Sequence, residues 1–289
     1  MYVVYLILFI FGLLVGSFLN VVIYREVSEA DKDGSKKSKK KPVKKEKPGQ
    51  VDKLKKWLPA WMVGRSFCPH CKRKIPWYDN IPLLSFVLLG GKCRFCRKKI
   101  SFQYPLVELL VGLQFVWIYW LLQQFSFFGR LEGFYSFALV CYWIYIFSSL
   151  LVIFFADLKA GIIPDTVVIP AIIISFLRLF ESGRWQFLLA GLGAAGFFWL
   201  LWWLTKKKGI GFGDVKLGLL MGLFLGFPQI IIALFLAFLT GAFCAVILML
   251  TGKKKFGQTV PFGPFLVIGT IIAKIWGLAI WNWYISYLM

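Results

Sequence analysis

Histidine is all but missing from this chain of 289 residues, and its single copy, His70, sits between two cysteines in Cys68-Pro69-His70-Cys71. With no imidazole elsewhere, a serine or cysteine nucleophile has no histidine to activate it, which argues against a histidine-dependent hydrolase. Charge is scarce at 16% of residues, and negative charge scarcer: 13 Asp and Glu stand against 34 Lys and Arg, a net +21. Apolar residues reach 59%, aromatic residues 19%, and mean hydropathy is +0.74. A soluble domain with one core is excluded by these values, which describe a polytopic membrane protein.

What charge there is lies unevenly. Of the 34 basic residues, 22 fall between Arg25 and Lys99, and seven of the 13 acids lie in the same loop. Residues 2–24 are apolar apart from Ser17 and Asn20. They lack a basic stretch before the apolar run and a small-residue cleavage site, so an uncleaved spanning helix is expected over 1–25 rather than a signal peptide. Gly12, Gly16 and Ser17 give that helix a small-residue face for close packing. Residues 28–56 are Lys-rich and of low complexity, and the interval 26–64 is expected to be a flexible cytoplasmic segment. It suits anionic lipid headgroups, with Trp57 and Trp61 at the membrane interface. No folded reader module accompanies the charge, so no nucleic-acid partner is expected.

Two cysteine pairs follow, Cys68-Pro69-His70-Cys71 and Cys93-Arg94-Phe95-Cys96, with 21 residues between them. Four thiolates at this spacing close a tetrahedral zinc site of the ribbon or knuckle type. Such a site has no open ligand position, so its role is structural, and His70 is expected beside it or exposed. A redox CxxC is the competing reading; two pairs in one small basic unit argue against it. The domain is expected over 65–104. Cys141 and Cys244 lie in apolar runs.

Beyond it the chain is nearly all apolar, with runs at about 105–125, 134–155, 162–180, 185–204, 215–227, 229–250 and 262–284. With the first run these make about eight transmembrane helices, the run at 215–227 being short for a span. The expected fold is all-α, with a small cytoplasmic zinc-ribbon-like domain and a seven-helix membrane domain over 105–289. Eight helices place the large loop, Lys206-Lys207-Lys208 and Lys253-Lys254-Lys255 on one side, the cytoplasm. The opposite loops carry Arg130, Glu132, Glu181 and Arg184, and both termini fall outside.

That topology brings two acidic sites to the cytoplasmic face. Asp157 and Pro164-Asp165 lie around the exit of one helix and the start of the next. Asp214 follows three glycines in Gly209-Ile210-Gly211-Phe212-Gly213-Asp214-Val215-Lys216. A carboxylate at membrane depth costs energy and is by default functional. Two close aspartates cannot both ionise cheaply, so they share a proton: one takes a proton from water and the other polarises a peptide carbonyl. That is aspartyl-protease chemistry. The competing reading makes Asp214 a helix cap and Asp157 and Asp165 loop and cap residues, with Lys159 and Lys216 as counter-charges.

Taken together and in order, these residues resemble the type IV prepilin peptidases, bacterial aspartyl proteases with a GxGD motif. The resemblance runs through Gly16-Ser17-Phe18-Leu19-Asn20-Val21-Val22-Ile23-Tyr24-Arg25, the cysteine pairs, Asp79-Asn80-Ile81-Pro82 and Tyr104-Pro105-Leu106-Val107-Glu108. It continues through Asp157 with Pro164-Asp165, Gly211-Phe212-Gly213-Asp214, and Pro261-Phe262-Gly263-Pro264-Phe265. It implies that Asp157 and Asp214 are catalytic, with Asp165, Gly211, Gly213 and Lys216 in support. It also implies an inner-membrane enzyme that removes the basic leader from type IV prepilins or pseudopilins on the cytoplasmic side. Family members with both cysteine pairs usually N-methylate the new N-terminus with S-adenosylmethionine, so both activities are implied here. The Lys-rich insert, Ile210 and Thr166-Val167-Val168 depart from the family pattern. A proton- or cation-coupled transporter using the same aspartates, and a zinc-bearing membrane scaffold, are the readings from other classes.

Overall fold

A computed structural model describes residues 2–38, 66–124, 134–183, 185–206, 209–252 and 260–288. Among them every apolar run forms a helix, and the cysteine region adds a short one. In chain order the helices are α1 (Tyr2–Ser38), α2 (Leu84–Leu88), α3 (Gln103–Gln124), α4 (Phe134–Ala160) and α5 (Asp165–Ser182). They continue as α6 (Gln186–Leu204), α7 (Phe212–Leu225), α8 (Gln229–Leu250) and α9 (Gly263–Leu288). Six of them, α1, α3, α4, α6, α8 and α9, are long and apolar enough to cross a membrane. Helices α5 and α7 fall short of that measure. The first helix runs past Arg25 to Ser38, into the Lys-rich segment. Trp57, Trp61, Arg130, Glu132, Arg184, Lys207, Lys208 and Lys253 to Lys255, on which the lipid and orientation readings partly rest, lie outside the described residues.

The chain divides into two compact units, Met1–Ser148 and Ser149–Met289, and the division falls within α4. In the first unit α1 and α3 lie antiparallel along a tight seam. A side chain at Gly12 would meet the Cα of Gly112, and one at Gly16 would come within 2.7 Å of the Cα of Glu108. Glycine at these two positions is what lets the backbones approach. The same register carries the Tyr5 and Tyr119 rings to 5.6 Å and lets the Asn20 amide donate to the Tyr104 carbonyl at 2.9 Å.

In the second unit α7 is the hub, touching α5, α6, α8 and α9. It has only 14 residues, about 21 Å at 1.5 Å per residue, which is less than the hydrocarbon thickness. A short helix is tolerated at such depth when protein surrounds it, and residues from Leu220 to Leu225 are all buried. Gly222 lies against the backbone of Ala190 and Gly191 on α6, leaving no room for a side chain. At the buried end of α7 the Lys274 ammonium, on α9, donates to the Phe224 carbonyl at 3.2 Å and stands 4.6 Å from the Phe224 ring centre. A cation there satisfies a carbonyl that the helix leaves open and matches the negative end of its dipole.

Candidate active site and metal centre

The second unit brings both predicted aspartates together. Asp157 occupies the last turn of α4. That helix stops at Gly161, whose φ of +63° is left-handed and whose N–H donates to the Asp157 carbonyl at 2.8 Å. Extended backbone at Pro164 then leads into α5, which begins at Asp165. Asp214 lies in the first turn of α7, after Gly211 in extended conformation at φ −76°, ψ 150°. Asp157 is 6% exposed and Asp214 8%, and the two carboxylates are electrostatic neighbours.

Each aspartate is anchored by a glycine N–H. Gly211 donates to Asp214 Oδ2 at 3.0 Å, so Asp214 caps its own helix, and the capping and functional readings describe one geometry. Gly263 donates to Asp157 Oδ2 at 2.8 Å from 106 residues along the chain. A side chain at residue 263 would put its Cβ 2.7 Å from that oxygen and 3.0 Å from the carboxylate carbon. Oδ1 of each aspartate takes no hydrogen bond among the described residues. Two carboxylates so held present one fixed and one available oxygen apiece.

The supporting residues fall around this pair. Lys216 bonds both oxygens of Asp165, at 2.6 and 2.8 Å, joining the start of α5 to the start of α7. Asp165 is exposed and pairs with this lysine rather than with the buried aspartates. A side chain at Gly213 would press on Ile163 at 2.9 Å, so glycine there lets the corner between α4 and α5 lie on the first turn of α7. In the sequence Gly263 is marked only by its place in Pro261-Phe262-Gly263-Pro264-Phe265. Its contribution is a backbone donor, which carries no side-chain signature; the neighbouring Pro264, starting a helix beside a glycine, was the available signal.

In the first unit the four predicted cysteines converge. All four sulfurs lie within 4.8 Å of one another. The Cys68 and Cys96 Sγ atoms are 3.9 Å apart, close to the roughly 3.8 Å edge of a tetrahedron with 2.3 Å zinc–sulfur bonds. Both pairs fold alike. The Cys68 N–H donates to the Arg73 carbonyl and the Cys93 N–H to the Lys98 carbonyl, each at 2.9 Å. Lys72 and Arg97, each one residue past its pair, are both left-handed, at φ 58° and 56°. Antiparallel bridges Phe67–Lys74 and Lys92–Lys99 close the two turns. The Cys96 N–H lowers the pKa of the Cys93 thiol, while burial and the neighbouring thiols raise that of Cys96, so the four sulfurs titrate as one group. His70 is exposed. Arg94 clamps Asp79 with two bonds of 2.8 and 2.6 Å, and this guanidinium keeps the Asp79 carboxyl below its usual range. The donor set, spacing and geometry fit a four-thiolate metal ion.

A helical membrane protein with two buried, neighbouring carboxylates and a separate cysteine cluster is the outline of a membrane aspartyl peptidase. Residues 10–122 match the bacterial peptidase A24 N-terminal domain, and residues 144–246 match the type IV leader peptidase family. The chain belongs to that family, and the two matched stretches follow the two compact units. It is 35% identical to a prepilin leader peptidase/N-methyltransferase of Aeromonas hydrophila, covering 96% of this chain and 92% of that one. A protein of the same name from Legionella pneumophila is 35% identical over 99% and 96% of the two chains. Another from Pseudomonas aeruginosa is 31% identical over 96% and 91%. No solved structure matches the chain.

Proposed function

We propose that this chain cuts the basic leader from type IV prepilins or pseudopilins and then N-methylates the exposed N-terminus. The observation that carries the first step is the Asp157–Asp214 pair, each member held through Oδ2 by a glycine N–H. Between them the pair holds one proton, because two neighbouring buried carboxylates do not both ionise cheaply. The ionised member draws a proton from water through its available Oδ1. The protonated member polarises the scissile carbonyl and then passes its proton to the leaving amine. Asp165 and Lys216 keep the two helix ends in register rather than touching the reacting atoms. The substrate's apolar stem lies among the membrane helices while its basic leader remains on the cytoplasmic side.

The module over 65–104 takes a zinc ion through Cys68, Cys71, Cys93 and Cys96. A bound zinc supplies a fold-stabilising cross-link and no open coordination position. The membrane domain over 105–289 carries the aspartates. The relatives' second named activity and the presence of all four cysteines support methyl transfer, with S-adenosylmethionine as the donor. The enzyme sits in the bacterial inner membrane with both termini outside, and the Lys-rich segment over 26–64 meets anionic headgroups.

The test is a cleavage assay in lipid nanodiscs with a prepilin-like peptide, comparing wild type with Asp214→Asn. Wild type releases the leader and the variant does not. Equal release by both would sink the aspartate mechanism.

A further inference from the structure

One buried acid takes no part in the mechanism above. Glu108 on α3 is 8% exposed. Its carboxylate accepts the Leu83 N–H at 2.9 Å and a hydrogen bond from Ser17 on α1. No cation pairs with it among the described residues. A carboxylate has about four acceptor positions, and a buried one without a counter-charge is costly. One turn along the same α1–α3 seam lies Asn20, 3% exposed. Its amide N–H is spent on the Tyr104 carbonyl, and its Oδ1 is buried with no partner. Orphaned acceptors of this kind are rare in native structures and call for an explanation. The loop that meets Glu108 is strained as well: Leu83 holds φ 59° and ψ −48° while delivering its N–H. Strain in a bulky residue collects at functional sites.

The seam thus offers a buried anion and an unmet neutral acceptor, and among the described residues nothing positive answers them. A primary ammonium, with one charge and three donors, is the group that fits. Resting on the methyl-transfer reading above, we propose that Glu108, with Asn20, receives the α-ammonium of the cleaved pilin; the Glu108 carboxylate takes one of its protons, and the freed nitrogen lone pair attacks the methyl group of S-adenosylmethionine, whose sulfur leaves as the neutral thioether. The Leu83 amide stands in for one ammonium donor when no substrate is there.

The test uses the full chain in nanodiscs and a fluorescent peptide with a mature pilin N-terminus beginning at Phe, as the free amine and as its N-acetyl twin. Binding is read by anisotropy, beside metal content, prepilin cleavage and methyl transfer. Wild type is expected to prefer the free amine by about 10-fold or more, the scale of a charged hydrogen bond. Glu108→Gln is expected to erase that preference while keeping metal and cleavage, and Asn20→Ala to weaken it several-fold. A preference undiminished in Glu108→Gln overturns the proposal, as does a wild type that methylates the peptide without preferring the amine. Should Glu108→Gln lose its metal or its fold, Asn20→Ala decides, and a full preference there also overturns it. A wild type that neither prefers the amine nor methylates any pilin peptide with donor present removes the methyl-transfer reading itself.

Discussion

A carboxylate in an apolar setting must be explained, and Asp157 and Asp214, proposed above as the catalytic pair, are both buried. With six acids outside the basic loop, Asp157 and Asp214 stood out, and the fold makes them neighbours. What anchors them was not legible, since a backbone N–H is common to every residue but proline. Gly263 holds Asp157 Oδ2 at 2.8 Å, and a Cβ there would sit 2.7 Å from the same oxygen. The carboxylate would have to move, and displacements near 1 Å can cost about 10²-fold in rate. Gly263→Ala is therefore expected to lower kcat for leader cleavage by about 10- to 100-fold with little change in KM, because the apolar stem binds elsewhere. Steady-state kinetics separate the two; an unchanged kcat means that this contact does not position the acid. Removing an aspartate outright, as in Asp157→Asn, is expected to cost more, about 10²- to 10⁴-fold, the range of acid–base catalysis.

Every apolar run in the sequence became a helix, but length alone did not say how the short one survives. Helix α7 does so by burial against four neighbours and by the Lys274 ammonium at its inner end. Hydropathy treats that lysine as a blemish in a spanning segment, and only the fold shows the Phe224 carbonyl that it serves. Lys274→Met keeps the length of the side chain and removes the donor. It is expected to destabilise the second unit by about 1.5–3 kcal/mol, the worth of a hydrogen bond from a charged donor, read as a lower unfolding temperature in detergent. The Lys216–Asp165 pair makes a contrast at the same scale. Both partners are partly exposed, at 28% and 56% of their side chains, so Lys216→Ala is expected to cost at most about 1 kcal/mol. A larger loss of stability in that variant would mean that the ion pair, rather than the packing of α5 on α7, joins the two helices.

Over the whole chain two kinds of stability sit side by side. The membrane helices bury large apolar side chains, among them Ile118 in the first unit and Phe198 and Leu220 in the second. From Ser66 to Ser101, by contrast, Cys68 is the one buried residue. A segment of that size without an apolar core folds only with a cross-link or a metal. The cysteine spacing pointed to four thiols meeting in one place, which the fold bears out, while the near-absence of any other core became visible only with the coordinates. With the metal proposed above, binding and folding are one event for this segment. A strong chelator is expected to open residues 66–101 to protease and to fast hydrogen exchange, while helical content and the protection of α7 stay as they were. Leader cleavage should persist after chelation, because both aspartates and their glycine donors belong to the other unit. Cys68→Ser should reproduce the chelated state without chelator. If the module instead stays protected once its metal is gone, the four cysteines hold something other than the fold, and their role moves from structure to chemistry.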